Sequence, residues 1–246
     1  MERQFILLGR LIVILVLALL TRMNFGISLM SQVVLDEDVP RFAYEVVDGL
    51  VVFDGDIVLG PVEELASSLQ RKPKSRFPFR SQSRVAEPEL LWPDRIVPYV
   101  VDADIAGEHA EDINWAVEEW NSKTVMTLRP RTIEADYVRF EHAESGQCRS
   151  SVGRQGGEQS ILLPSYACDA DGVAHEIGHA VGLWHEHQRV DRDEYLVYQT
   201  EDPNWSSTPK FSPANGPYDY ASVMHYSAEL CQTEESSSVL ISSGRC

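Results

Sequence analysis

Four of the chain's seven histidines fall in thirteen residues, "HEIGHAVGLWHEH", His175 to His187. His175 and His179 are spaced i and i+4, so a helix would project both from one face, one turn apart. Two imidazoles at that spacing can bind a single zinc ion. Glu176 follows His175, rotated by ~100° around the helix. Its carboxylate would lie beside the metal, placed to take a proton from a water whose pKa zinc has lowered to about 7. His185 comes ten residues after His175, and on a continuous helix it would sit ~15 Å further along the axis, out of reach. Gly182 removes the difficulty, because glycine can take the left-handed conformation that ends a helix. The chain then turns back and brings His185 to the same ion. Three histidines and one water make an open, catalytic site rather than a closed, structural one. A bare H-E-x-x-H arises by chance in about one chain in a hundred of this size, and fixing Gly182 and His185 as well lowers that roughly a thousandfold. His187, two residues beyond His185, is expected to point away from the ion as a structural or surface residue.

The longer stretch "HEIGHAVGLWHEHQRVDRDEY" closely resembles the zinc signature of the astacin metalloendopeptidases, within the metzincins. His175, Glu176, His179, Gly182, His185, Glu186, His187, Arg189, Asp191 and Arg192 all match its pattern. "SVMHY", Ser222 to Tyr226, resembles the family's Met-turn. The resemblance implies that Met224 forms an apolar floor under the zinc. It also implies that Tyr226 is a fifth ligand whose hydroxyl swings away to stabilise the oxyanion, a role suited to a phenol donor. "FDGD", Phe53 to Asp56, is similar to the F-x-G-D motif of astacin propeptides, which implies that Asp56 takes the water site on zinc and keeps the enzyme latent. A plain Asp-Gly turn is the other reading of that stretch. "CRSSVGRQGGEQ" resembles the segment leading into the upper edge strand. It implies a Cys148–Cys168 disulfide and substrate addition, antiparallel, to the strand near Gln159 to Leu163. Glu186 is implied to anchor the new N-terminus after activation.

The elements that must position these residues are legible in outline. Ile96 to Val101 reads as a strand. Residues 107–123 read as a helix, with Ile113, Ala116, Val117 and Trp120 at helical spacing. "VMTLRPR", "DYVRFEH" and "EQSILLP" read as strands, and a second helix covers about Gly172 to Leu183. Strands mixed with two long helices predict an α+β domain. The resemblance implies a metzincin-type catalytic domain of two subdomains, with a mixed twisted sheet and a zinc cleft between them. The C-terminal subdomain is expected to be shortened, since the chain ends twenty residues after Tyr226. Where the family has a cysteine in the strand after the first helix, this chain has Val125.

Upstream, Arg3 and Arg10 flank an apolar run whose unbroken part is Leu11 to Leu20. That is short for a membrane span and fits a secretory signal of about 30 residues, cut near residues 26–32. An uncleaved signal anchor is the alternative, and it is the one route by which a membrane would become a partner. Residues 67–84, "SSLQRKPKSRFPFRSQSR", form an exposed basic linker suited to cleavage after Arg84. The expected organisation is therefore a signal over 1–30, a propeptide over 31–84 and a catalytic domain over 85–246. Outside the cytoplasm the four cysteines are disulfide candidates. Cys148 and Cys168 bracket one loop, while Cys231 and Cys246 lie in the tail. A net charge of −17 with four lysines argues against nucleic acid, which needs clustered cations. The reading is a secreted zinc endopeptidase made as a zymogen, with one Zn2+ per chain. It acts on protein or peptide substrates after an activating protease has cut near Arg84. The alternative is an inactive, zinc-containing binding protein.

Overall fold

The computed structural model describes residues 44–64, 88–144, 146–165, 167–198, 216–225 and 239–241. The expected signal, the Arg84 cut, Tyr226, Cys231 and Cys246 lie outside the described residues.

β4 (Ile96–Val101) and β5 (Thr127–Pro130) are parallel neighbours joined by helix α1 (Ala110–Lys123). β6 (Tyr137–His142) adds parallel on the other side of β4, and β8 (Glu158–Leu163) adds parallel to β6. The two-residue strand β7 (Arg149–Ser150) lies antiparallel to β8, pairing Arg149 with Leu162 and Ser150 with Ile161. Before all of these come β1 (Tyr44–Val47), β2 (Leu50–Phe53) and β3 (Ile57–Pro61), an antiparallel meander. β3 attaches parallel to β7 at Ile57 and Ser150, completing an eight-stranded sheet of order β1-β2-β3-β7-β8-β6-β4-β5. β9 (Leu196–Tyr198) and β10 (Val239–Ile241) form a separate antiparallel pair.

This is the α+β architecture expected, with one unexpected feature. The segment read as a propeptide is built into the same sheet as the segment read as a catalytic domain. The core lies between the parallel strands and the two helices. Val97, Val138, Phe140, Ile161 and Leu163 meet Ile113 and Ala116 of α1 and Val173, Ile177 and Ala180 of helix α2 (Ala170–Val181). Burial of such side chains is worth about 1.5–3 kcal/mol each. Helix α1 starts later than the expected residue 107, because the His109 and Glu108 amides both turn back to the Ile105 carbonyl.

Candidate metal centre

Helix α2 carries the first two histidines, and its ends explain its length. Asp169 caps the N-terminus, its Oδ1 accepting from the Gly172 amide at 2.9 Å. That capture starts the helix two residues earlier than expected. Gly182 ends it at φ 111°, a conformation that favours glycine. The amides of Gly182 and Leu183 then return to the carbonyls of His179 and Gly178. Indole donors hold α2 from outside: Trp92 bonds the Ala180 carbonyl at 2.8 Å and Trp120 the Ala174 carbonyl at 2.9 Å. The Cys148–Cys168 disulfide ties the start of β7 to the segment just before α2.

The turn at Gly182 brings three Nε2 atoms together. His175–His179, His179–His185 and His175–His185 are separated by 3.1, 3.1 and 3.2 Å. These are not hydrogen bonds, because each ring uses its proton elsewhere. Nδ1 of His175 faces the Val223 carbonyl at 2.6 Å, that of His179 the Leu183 carbonyl at 2.8 Å, and that of His185 Asp54 Oδ2 at 2.8 Å. Each Nδ1 must therefore carry the hydrogen, which leaves three Nε2 lone pairs converging on one point. Converging lone pairs repel unless a cation sits among them. Ligands at about 2.0–2.1 Å from a tetrahedral zinc lie ~3.3–3.4 Å apart, close to the separations found. The three rings thus fit zinc.

Asp56 closes the fourth side. Its carboxylate oxygens lie 3.1 Å from His185 Nε2, 3.3 Å from His175 Nε2 and 3.6 Å from His179 Nε2. Burial opposes its ionisation, but the positive field of His185 outweighs it and holds the carboxyl well below the usual range. Burial pushes His179 down to about 4. It also opposes protonation of His185, but Asp56 and Asp54 outweigh it and raise that ring to about 10. A proton on His185 and a cation at the centre are two ways of supplying the positive charge these carboxylates demand. Glu176 is 2% exposed and its Oε2 has no hydrogen-bond partner among the described residues. Burial first, and the nearby Asp56 second, push its carboxyl well above the usual range.

Two residues whose roles were not assigned from sequence complete the surroundings. Asp54 Oδ2 accepts not only from His185 but from Gln188 Nε2 at 2.7 Å and His187 Nε2 at 3.1 Å. His187 is thus no surface residue. It is 1% exposed, stacked on His185 and turned toward Asp54 in the bend between β2 and β3. Arg189, 2% exposed, ties together Glu186, Asp191 and the carbonyls of Gly216 and Pro217 with bonds of 2.9–3.1 Å. The first acid of "FDGD" was a signal for Asp54. Arg189 matched the family pattern but gave no hint of its partners.

Met224 is buried under α2, with its sulfur against Gly178, and its carbonyl accepts from the Glu186 amide at 2.8 Å. Glu186 Oε1 accepts from Arg189 and from the Asp219 amide at 3.0 Å. The expected substrate edge needs correction. β8, including Gln159 to Leu163, is an interior strand with β6 on one side and β7 on the other. The strand facing the metal side is β7, and β3 occupies its other edge, with the Ser150 amide bonding the Asp56 carbonyl at 3.0 Å. The sequence could not show this, because a two-residue strand carries no periodicity.

Comparison with known proteins agrees with the geometry. Residues 84–245 match the family model described as Astacin, a peptidase family. The chain is 33% identical over 196 residues to zinc metalloproteinase nas-14 of Caenorhabditis elegans, covering 72% of this chain and 39% of that protein. It is 31% identical over 181 residues to bone morphogenetic protein 1 of Xenopus laevis, covering 67% and 26%. The chain therefore spans well under half the length of these relatives. Its fold is similar to the solved structure of high choriolytic enzyme 1, a hatching enzyme zinc-protease from the medaka fish Oryzias latipes. The TM-score is 0.52 at 25% identity, with 69% of this chain and 86% of that one covered. A matched signature, a three-histidine centre with an adjacent buried glutamate and a shared fold together make this chain a member of the astacin family of zinc metallopeptidases.

Proposed function

We propose that the chain is a secreted zinc endopeptidase made as a zymogen. Residues 1–30 are the signal, 31–84 the prosegment and 85–246 the catalytic domain, with one zinc per chain held by His175, His179 and His185. The observation that carries this reading is the Asp56 carboxylate, 3.1–3.6 Å from all three Nε2 atoms. A carboxylate is a competent zinc ligand, and at the fourth position it excludes water. Latency follows, and a cut near Arg84 by a protease preferring basic residues releases it.

Zinc, when bound, supplies Lewis acidity that activates a water and polarises a carbonyl. The chain's own residues do the rest. Glu176 takes the proton from the attacking water and delivers it to the amine nitrogen as the C–N bond breaks. Its buried Oε2, without a partner among the described residues, suits that shuttle. Tyr226 is the fifth ligand in this reading, and its hydroxyl donates to the developing oxyanion. Met224 supports the histidines from below, and Glu186 is the carboxylate that receives the new N-terminus. The protein or peptide substrate takes the place of β3 along β7 and runs antiparallel to it. The prosegment lies there in the opposite, parallel sense, which keeps its own peptide bonds out of the productive direction.

The test is hydrolysis of a fluorescent casein by the purified proform after tryptic nicking and trypsin blockade, with Glu176→Ala alongside. Activity should need nicking and should fall by about 10²–10⁴ in the variant. Equal rates for the two proteins, with stoichiometric zinc retained, would remove the enzyme reading and leave a zinc-containing binding protein.

A further inference from the structure

All three ligand histidines have their Nδ1 hydrogens fixed, but the acceptors differ in origin. The partners of His175 and His179 are the backbone carbonyls of Val223 and Leu183. Both lie beyond Arg84 and stay in place when the prosegment is cut away. The partner of His185 is Asp54, 131 residues earlier in sequence and on the prosegment side of the cut. One oxygen of Asp54 gathers three donors, from His185, His187 and Gln188, whose residues are each 0–1% exposed. The residue is held for this by its backbone: Asp54 opens the turn between β2 and β3 at φ 51°, a conformation aspartate tolerates better than most residues. Gly55 and then Asp56 complete the turn, so one tight bend aims both carboxylates at the centre, one from the front and one from behind His185.

A carboxylate on the far nitrogen of a metal-bound imidazole fixes the ring's tautomer and orientation and makes its other nitrogen a stronger ligand. A neutral carbonyl does this more weakly, because a hydrogen bond to an ionised acceptor is roughly twice as strong. We propose that Asp54 is a positioning residue for the metal, through which the prosegment strengthens the hold of His185 on zinc. The prosegment then has two opposite effects at one centre. Asp56 blocks the chemistry, while Asp54 secures the ion on which the chemistry depends. Zinc is bound more tightly before activation than after it, so the metal is loaded into the zymogen. The inference rests on the zinc reading above.

The experiment uses the full-length zymogen and zinc alone, with the dissociation constant read by competition against a chromophoric chelator. Loss of such a partner typically weakens metal binding by about 10–100-fold, so Asp54→Ala should raise Kd by that factor. Asp54→Asn, which keeps the shape and an acceptor oxygen but loses the charge, should fall between, and it serves if the alanine variant does not fold. A contact that merely stabilised the fold would lower the melting temperatures of the metal-free and metal-loaded zymogens alike and leave Kd unmoved. Wild-type protein that binds one equivalent of zinc, with both variants within about twofold of it, overturns the role of Asp54 and leaves the zinc reading standing. Wild-type protein that binds no zinc overturns both.

Discussion

Gly178 shows how little slack surrounds the centre. It lies on α2 one residue before His179, and a methyl group there would fall well inside van der Waals contact of the Met224 sulfur. Overpacking of this kind costs about 1–3 kcal/mol. Gly178→Ala should therefore lower the melting temperature by an amount of that order. It should also weaken zinc binding, because Val223, beside Met224, holds His175. Calorimetry with and without chelator checks both effects. Such a residue was invisible in sequence, where Gly178 was one of the unspecified positions of the signature. His175, Glu176, His179, Gly182 and His185 were legible because their geometry is local: helical spacing, then a glycine stop. Asp54 and Arg189 were not, because their partners lie 131–134 and 2–28 residues away and depend on how the turns fold.

At the scale of elements, the short pieces around α2 matter as much as the helix. β7 is two residues long, and its position depends on β8, on β3 and on the disulfide at its start. Closing the 20-residue separation of Cys148 and Cys168 is worth about 3 kcal/mol in the chain-entropy model. Replacing both by serine should cost roughly that in denaturant unfolding of the full-length chain. The segment leading to Met224 is held in a similar indirect way. Arg189 bonds Gly216 and Pro217 while pairing with Glu186 and Asp191, so it joins the segment after His185 to the segment before Met224. Truncating one partner of a buried charge network costs about 3–5 kcal/mol, and Arg189→Ala should approach that loss by the same measurement. The pair also has a pH signature. The hydrogen bond from Arg189 holds the Asp191 carboxyl below its ordinary value, so its contribution is full above about 3.9 and is lost as pH falls through the lower folded value. Arg189→Ala should flatten that part of the acid-unfolding curve. β4, β5, β6, β8 and the two helices could be read from the sequence to within a few residues, whereas β1, β2, β3 and β7 were not read as strands. The partners of these short connectors could not be read, since nothing in a two-residue strand or a lone arginine says what it will meet.

At the scale of the molecule, the sheet has one border at β5 and, if residues 31–84 are the prosegment proposed above, a second at β7 that their removal would uncover. β5 is short, ends in Pro130 and carries the half-exposed Arg129, features that discourage further strand addition. β7 is covered by β3 and has no proline, and its one charged residue, Arg149, is buried. Loss of β1, β2 and β3 therefore opens a bare sheet border next to the metal, with backbone donors and acceptors in place to receive an extended chain. The border proposed to receive a substrate will accept any strand of similar shape, a second copy of the protein included. The consequence is colloidal. The net charge of −17 keeps copies apart at low ionic strength. Salt screens that repulsion, with a Debye length near 8 Å at about 0.15 M. Protein nicked near Arg84 should then grow in hydrodynamic radius by dynamic light scattering at concentrations where the full-length chain stays monodisperse, and an extended peptide inhibitor seated on β7 should prevent it. Under the zymogen reading proposed above, activation exchanges shelf life for access, and the protein keeps best as its precursor.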